Sequence, residues 1–353
     1  MTELEIVAAK IMTARQPGEI FSSADLTEAR REYLRLARVV HEDRYTSSDQ
    51  KKKAHDAFVC LQELWSRLAN GHVLTIATSR YIYTLPREIH SGLTCRIIEG
   101  VAQPQVAAAL ATVVRLPHSP RDNDLVQREH DALRAIEAKA KGKPDAQPLL
   151  FRLPSLLESF TLKTDGRRVN AFHRHSEAED GWVNLEEIRA AYPSGVDPRI
   201  MIFIWNRCLE GLTLAHAAGY AHCAVTPNHV LVHPASHLGQ VIDWTSAVRP
   251  ADGERAPYRD ARYEPYFSAE QAFGVRGDLY SLAWSIVYVL GGDPVSRSIP
   301  AAVPEGIKAL LEACLQPKPK NRPASAEALY QQLRATARSI YGPPSFVEFT
   351  MPS

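Results

Sequence analysis

The sequence predicts a multi-domain α+β protein in which an all-helical N-terminal segment precedes a larger two-lobed segment. Three observations support this fold class. The chain has 353 residues, which is enough for two or three domains. Apolar residues recur at helical spacing within the first 70 residues. Beyond about residue 96, strand-like runs come first and long helical runs follow, an order that favours an α+β fold.

The composition is that of an ordinary soluble protein. Hydrophobic residues make up 45% and charged residues 23% of the chain. The net charge of +1 gives no general attraction to nucleic acid or to an acidic membrane, so neither partner is expected. No run approaches the roughly 20 apolar residues of a membrane span, and the N-terminus lacks the pattern of a signal peptide. The odd number of dispersed cysteines argues against disulfides and zinc sites and predicts a cytoplasmic location; they are Cys60, Cys95, Cys208, Cys223 and Cys314.

Residues 1–70 predict a helical domain. The run DLTEARREYLRLARVV is amphipathic, a polar loop HEDRYTSSDQKKK follows, and AHDAFVCLQELWSRL predicts the second helix of a hairpin. The first helix has one apolar face, formed by Leu26, Ala29, Tyr33, Leu36, Ala37 and Val40. Its opposite face carries three basic residues, Arg31, Arg35 and Arg38.

This helix-loop-helix segment resembles a J domain, the module that recruits DnaK-class heat-shock chaperones and triggers their ATP hydrolysis. The resemblance rests on YLRLARVVHEDRY and the helix after it. It implies that the loop and the basic face contact the chaperone, which makes His41, Asp43, Arg31, Arg35 and Arg38 the candidate contact residues. The family has proline where this chain has Glu42, and glutamate removes a rigid φ and adds negative charge. Two alternatives stay open: an active J domain, or one that no longer stimulates a chaperone.

The next segments predict a connector and a small lobe. Residues 71–95 are interpreted either as a connector or as the start of the small lobe, and the small lobe itself is assigned to residues 96–178. Within that lobe CRIIEG and VAAALATVVRL predict strands, and NDLVQREHDALRAIEAKA predicts a helix. Two further strands, LLESFTL and RRVNAFHRH, are joined by the turn KTDG.

Residues 179–340 predict a mainly helical large lobe, with five helical runs beginning at VNLEEIRAAYP and ending at SAEALYQQLRATARSIY. Residues 341–353, YGPPSFVEFTMPS, form a C-terminal tail behind a Gly-Pro-Pro break. Its aromatic residues Phe346 and Phe349 are expected either to add a strand to a partner or to pack back on the body.

The order of elements and six short motifs in roughly residues 90–340 resemble a protein kinase. REHDAL resembles the start of its small-lobe helix, LAHAAGYAH with PNHVLV its catalytic loop, and VIDW its magnesium loop. FSAEQ, GDLYSLAWSIVYVLGG and KNRPASAEAL resemble three large-lobe elements. The resemblance implies structural roles for four residues, namely an ion pair of Glu270 with Arg322, a loop support at Asp278 and a packed His222.

The residues that would transfer phosphate are absent. Ala224 stands at the position of the catalytic aspartate, and alanine accepts no proton. His229 stands at the position of the metal-binding asparagine, and Trp244 and Thr245 follow the retained Asp243. The segment expected to cover phosphates contains a single glycine, Gly100, although close approach to phosphate favours bare backbone.

A reduced nucleotide site is the remaining possibility. Arg115 replaces the lysine of the third strand, and with Glu129 and Asp243 it forms the candidate residual nucleotide-binding set. The sequence therefore predicts a pseudokinase with no catalytic residue, no metal site and no cofactor, which links a DnaK-class chaperone to an unknown protein client. Two alternatives stay open: an atypical kinase-fold enzyme that uses ATP with Mg²⁺, and an interaction protein in which both modules are degenerate.

Overall fold

The computed structural model describes residues 2–22, 25–45, 47–70, 73–174, 181–257, 260–268 and 273–352. The chain forms two compact units, Met1–Val114 and Arg115–Ser353. Secondary structure is mixed α and β in both units. The two units are described in turn.

The first unit begins with three helices, α1 (Glu3–Thr13), α2 (Leu26–Val39) and α3 (Ser48–Asn70). α2 begins where Asp25 accepts hydrogen bonds from the backbone N–H groups of Thr27 and Glu28, which satisfies donors that the first turn leaves open. Both α1 and α2 pack against α3. Their shared core contains buried apolar residues from all three helices: Leu4, Ala8, Ile11, Ala29, Val40, Ala57, Leu61 and Leu64.

Three strands follow in the first unit: β1 (Leu74–Ala77), β2 (Tyr81–Ser91) and β3 (Cys95–Pro104). They pair antiparallel in the order β1-β2-β3, with Ile76 opposite Tyr83 and Tyr83 opposite Ala102. Alternation places Tyr83 and Leu85 on the buried face, whereas Ile82 is half exposed. Strands β1 and β2 thus occupy most of residues 71–95, the segment interpreted as a connector or as the start of the small lobe. The domain boundaries expected from the sequence stay a prediction.

Strand β4 (Leu110–Pro117) continues the chain from the first unit into the second. Helix α4 (Asn123–Lys141) follows, and then the antiparallel hairpin of β5 (Ser155–Thr161) and β6 (Arg168–His173). The predicted turn between these strands contains Gly166 at φ 76°, a conformation that favours glycine. The predicted strands and helix of this region are confirmed.

The rest of the second unit is mainly helical. Its helices are α5 (Leu185–Ala191), α6 (Pro198–Ala217), α7 (Val275–Val289), α8 (Glu305–Cys314) and α9 (Ala326–Tyr341). A small antiparallel sheet has the order β7-β8-β9, formed by β7 (Val183–Asn184), β8 (Val230–His233) and β9 (Leu238–Val241). One large core joins these elements, and Trp205 and Trp244 are its largest fully buried side chains. The five predicted helices are confirmed.

The C-terminal tail packs back on the second unit. Residues 342–352 form neither helix nor strand. Phe349 is buried and belongs to the large core. Of the two outcomes expected for this tail, packing on the body is the one observed.

The state of the cysteines and the hydropathy of the helices can also be described. Among the described residues, which include all five cysteines, no disulfide is formed. Within the ranges that the structure describes, no helix combines the length and the hydropathy needed to cross a membrane.

Candidate functional site: a kinase-like loop closed by Arg115

The segment that resembles a catalytic loop is held by Asp278, from the first turn of α7. The Asp278 carboxylate is buried and accepts hydrogen bonds from the backbone N–H of His222 at 2.8 Å and of Cys223 at 2.7 Å. Nε2 of His216 lies 2.9 Å from the same carboxylate. Cys223 has φ 64°, a conformation that costs energy for a side chain with a Cβ and that these contacts maintain. The loop is therefore fixed in one conformation.

His222 lies under this loop. Its Nε2 is 2.8 Å from the carbonyl oxygen of Ile242, and its Nδ1 accepts a hydrogen bond from the backbone N–H of Ala224 at 3.2 Å. The ring meets the indole of Trp244 edge to face, with 4.6 Å between centroids. Burial lowers the pKa of His222 from 6.5 to about 4, even though Asp278 acts in the other direction. The ring is therefore neutral at pH 7 and carries its proton on Nε2.

Ala224 brings no functional group to the position of the catalytic aspartate. Its side chain is a buried methyl, so only its backbone N–H and carbonyl oxygen form hydrogen bonds. Nδ1 of His229 lies 2.8 Å from that oxygen, which fixes the orientation of the imidazole. The other ring nitrogen, Nε2, lies 3.5 Å from Oδ2 of Asp243. His229 thus connects the loop to the one acidic residue retained from the metal-binding pattern.

Arg115, near the end of β4, lies between two carboxylates. Its Nε is 3.0 Å from Oε2 of Glu129 on α4, and its Nη1 donates to Oδ2 of Asp243 at 3.2 Å. The Arg115 and Glu129 side chains are 7% and 1% exposed, so water screens their attraction very little. The planar guanidinium can face both partners at once, which a lysine ammonium does less well.

The carboxylates of Glu129 and Asp243 also accept hydrogen bonds from neighbouring groups. Glu129 accepts hydrogen bonds from the Asn170 amide at 3.0 Å and from the backbone N–H of Trp244 at 3.3 Å. Asp243 accepts one from the Thr245 hydroxyl at 2.5 Å. Burial raises the pKa of Glu129, and the neighbouring Asp243 adds to this while Arg115 opposes it.

The pKa of Asp243 moves in the opposite direction. Burial acts to raise it, but Arg115, His229 and the Thr245 hydroxyl outweigh burial and hold this pKa well below its usual range. Asp243 is therefore ionised at every physiological pH. Its backbone is left-handed, with φ 61°, and its side chain is 21% exposed. Arg115 and His229 thus lie beside the Asp243 carboxylate, where a metal ion would otherwise bind.

The side chains of this site determine whether it can accept a proton or bind a cation. No carboxylate stands at Ala224 to accept a proton from a hydroxyl substrate. Asp243 has lone pairs for a cation, but the Arg115 guanidinium already faces them. Among the residues that the structure describes, no group of three or more His, Cys, Asp and Glu side chains is arranged to hold a metal ion.

The other predicted structural pair is only partly described. Arg322 is buried, donates to the carbonyl oxygens of Gln316 at 2.7 Å and Pro317 at 2.8 Å, and lies over the ring of Tyr280. Glu270, its predicted partner, lies outside the described residues. The pairing of Glu270 with Arg322 therefore stays a prediction.

The five residues assigned to chaperone contact lie in the first unit. Arg31, Arg35 and Arg38 are exposed on α2. His41 is exposed beyond its C-terminus, with its ring centroid 6.2 Å from that of Phe58. Asp43 lies in the 3₁₀ turn Glu42–Arg44. Their roles stay predictions.

Two supporting residues were not predicted. Asn170 holds Glu129, and the signal available was a polar residue inside the otherwise apolar strand β6. His216 contacts Asp278 from the last turn of α6, but a histidine near a helix end is common enough to give no distinct signal.

Comparison with known proteins gives a structural likeness alone. No family model and no curated protein matches the sequence. Among solved structures, the crystal structure of the Mycobacterium tuberculosis PknI kinase domain is similar to this chain with a TM-score of 0.53 and 16% identity. The match covers 74% of this chain and 98% of that domain. At this identity the likeness establishes the fold and no chemistry: the chain contains a protein-kinase-like fold.

Proposed function

We propose that this protein is a non-catalytic adaptor. In this proposal the kinase-like unit is a pseudokinase that binds a protein client, and the helical N-terminal segment is a J-like domain that recruits a DnaK-class chaperone. The chain then brings client and chaperone together without transferring phosphate.

One observation carries the non-catalytic part, namely the contact of Arg115 with Asp243. Phosphoryl transfer depends on metal ions that neutralise charge on the nucleotide and on a base that orients the acceptor hydroxyl. Here a guanidinium with a 7% exposed side chain faces the carboxylate that would hold the metal, and Ala224 supplies no base. A cation at Asp243 would have to compete with Arg115 and His229. These contacts support a unit that does not transfer phosphate.

The N-terminal part is supported by helices at the predicted places. α2 and α3 pack together, and the His41–Glu42–Asp43 segment lies between them. The loop is braced on α2, because Arg44 donates to the carbonyl oxygen of Arg38 at 3.0 Å and Tyr45 to that of Val39 at 2.5 Å. Arg31, Arg35 and Arg38 are exposed on α2, as contact with an acidic partner requires.

Covalent linkage of the two modules gives the proposal its physical advantage. Two binding sites on one chain turn the second encounter into an intramolecular one, at effective concentrations that reach about the millimolar range for short linkers. A weak chaperone contact then suffices once the client is bound.

Single-turnover ATP hydrolysis by a DnaK-class chaperone tests the co-chaperone role. The intact chain should accelerate hydrolysis, and His41→Gln should remove most of that acceleration because the loop loses its imidazole. A matched control is His130→Gln, which changes a partly exposed histidine on α4 in the other unit. His130→Gln should leave the acceleration intact.

Three outcomes would contradict the co-chaperone role. They are no acceleration at saturating protein, equal acceleration by wild type and His41→Gln, and equal loss in both histidine variants. In each case the exposed loop of the first unit does not act on the chaperone.

A second candidate, an atypical enzyme that binds ATP, is favoured by one observation. Asp243 keeps a partly exposed carboxylate, and Glu129 keeps a cationic partner from β4. Calorimetric titration of the intact chain with ATP and Mg²⁺ distinguishes the two candidates. The adaptor predicts no binding heat up to millimolar nucleotide; Mg²⁺-dependent binding that Asp243→Asn abolishes would favour the enzyme.

A further inference from the structure

The C-terminal tail lies against an aromatic surface of the second unit, which we call the tail groove. It is formed by Tyr192 after α5, Phe203 on α6 and His237 in the turn between β8 and β9. Each of these side chains is half buried. All three elements belong to the large core of this unit, so the groove has rigid walls.

Two phenylalanines of the tail contact the groove. The Phe349 ring is 2% exposed and lies 5.8 Å from the Tyr192 ring and 6.2 Å from the Phe203 ring. The Phe346 ring stacks on His237 at 4.2 Å, and His237 stacks on Phe203 at 4.1 Å. The imidazole is thus sandwiched between one phenyl ring from the groove and one from the tail.

Hydrogen bonds add to the ring contacts. The Tyr192 hydroxyl donates to the backbone carbonyl oxygen of Thr350. The carbonyl oxygen of His237 accepts from Nε of Arg207 at 3.2 Å, which fixes the turn that presents the imidazole. One rigid wall therefore offers both an aromatic surface and a donor to main-chain carbonyls.

Apart from Phe349, which belongs to the large core, the tail resembles a bound peptide. It has no helix or strand, and it follows Gly342 at φ 80° and two prolines, which separate it from α9. Phe346 is 68% exposed despite its stacking, and Glu348 is exposed. Recognition through a few aromatic anchors and a backbone hydrogen bond is the usual way in which an extended peptide binds. Segments with few buried contacts also detach most easily.

We propose that the tail groove is a docking site for an extended partner segment with two aromatic side chains three residues apart, and that residues 344–352 occupy it as a tethered competitor. The tail then keeps the groove closed until a partner with the same pattern displaces it. This site lies outside the His222, Asp243 and Arg115 cluster, and the inference holds whether or not the co-chaperone role is correct.

The proposal predicts how tethering affects affinity. A tethered segment competes at an effective concentration of about 1 mM for a short linker. A free peptide that binds the open groove at about 100 µM would therefore bind the wild-type chain roughly tenfold more weakly. Removing the aromatic anchors of the tail should reverse this difference.

A fluorescein-labelled peptide of residues 344–352, PSFVEFTMP, serves as the probe in fluorescence anisotropy. The protein is the full-length chain, either wild type or with Phe346→Ala and Phe349→Ala together. The double variant should bind the probe about tenfold more tightly than wild type. A peptide with both phenylalanines changed to alanine should not bind, while a Glu348→Gln peptide should bind like the original because Glu348 is exposed. Adding Phe203→Ala to the double variant should remove binding.

Several results would overturn the proposal. Equal affinity of wild type and double variant would mean that the tail does not compete, and no binding to a folded double variant would mean that the groove takes no peptide. Loss of cooperative unfolding in the double variant, measured by circular dichroism, would mean that the tail belongs to the core. A wild-type dimer that dissociates on Phe349→Ala, seen by light scattering, would mean that a second copy supplies the tail.

Discussion

Two loops of this molecule each contain a histidine and each depart from the motif with which they were compared. They differ most in burial. The His41–Glu42–Asp43 turn of the first unit lies in the segment for which the sequence predicts a J-like domain, with Glu42 at the position where that family has proline. The His222–Cys223–Ala224 loop of the second unit resembles a kinase loop with Ala224 in place of aspartate. His41 is exposed, whereas His222 is fully buried.

The difference shows what a changed motif residue means in each setting. Backbone groups of the buried loop are bound to Asp278, to His222 and to Ser285, whose hydroxyl donates to the carbonyl oxygen of Val225 at 2.9 Å. These contacts are formed with alanine at position 224, so the loop stabilises the fold whatever its chemistry. The side chains of His41 and Glu42 in the exposed loop make only surface contacts within the chain, so their main effect should be on what the loop contacts outside it. We therefore expect changes in the buried loop to alter folding stability and changes in the exposed loop to alter binding.

The largest effect is expected from Asp278→Ala. This change leaves the N–H groups of His222 and Cys223 and the His216 ring without their acceptor in a buried place. Each unsatisfied group costs about 1–3 kcal/mol, so the free energy of unfolding should fall by roughly 4–6 kcal/mol. Urea denaturation followed by tryptophan fluorescence measures it, since Trp244 lies against His222.

Glu42→Ala is the matched change in the exposed loop. Its side chain is 53% exposed, and Nδ1 of His55 lies 3.5 Å from it. A surface substitution of this kind should change the free energy of unfolding by less than about 0.5 kcal/mol. A loss of more than about 2 kcal/mol for Glu42→Ala would break the comparison between the two loops.

Arg115→Met should have the next largest effect. Methionine replaces the unbranched part of the arginine side chain but leaves Glu129, which is 1% exposed, without its cation. Loss of one partner of a buried pair costs about 3–5 kcal/mol, and we expect about 3 because Glu129 can take up a proton. Arg115→Lys should cost less because it keeps the charge. Chemical denaturation measures both, and equal stability of Arg115→Met and wild type would show that the pair adds nothing.

Titration of His222 should make the free energy of unfolding depend on pH. Burial lowers its pKa from 6.5 to about 4, so between these values the unfolded chain binds a proton that the folded chain does not. Its contribution to stability is complete above pH 6.5 and is lost as the pH falls towards 4, at up to about 1.4 kcal/mol per pH unit. His222→Gln should lower stability at pH 7 and reduce this acid dependence.

Ser285→Ala is the control for the histidine. Ser285 is buried and donates to the same loop, but it does not titrate. Its loss should shift the free energy of unfolding by about the same amount at every pH. If His222→Gln keeps the full acid dependence of wild type, another group is responsible.

Much of the architecture could be predicted from the sequence, because α6 has recurrent apolar positions and α7 has a long apolar run, and both patterns reflect burial. The sequence suggested Asp278 as a support for the loop only through the resemblance to a protein kinase. The double contact of Arg115 with Glu129 and Asp243 did not, because it depends on side-chain reach between residues 128 positions apart in the chain. Nor could the sequence choose between an exposed and a packed tail, since that choice depends on the groove of Tyr192, Phe203 and His237.

The smallest expected effect on stability, and the sharpest test of the exposed loop, is Glu42→Pro. Proline fixes φ near −65°, which suits a tight turn, and it removes the carboxylate that faces His55. The free energy of unfolding should change by less than about 0.5 kcal/mol, whereas acceleration of chaperone ATP hydrolysis should rise because the loop becomes more rigid and loses a negative charge beside the exposed arginines of α2. Denaturation and single-turnover hydrolysis on the same preparations separate the two effects. If the proline variant and wild type both fail to accelerate hydrolysis while remaining folded, the exposed loop has no chaperone role, and only the buried loop keeps a defined purpose, that of holding the kinase-like unit together.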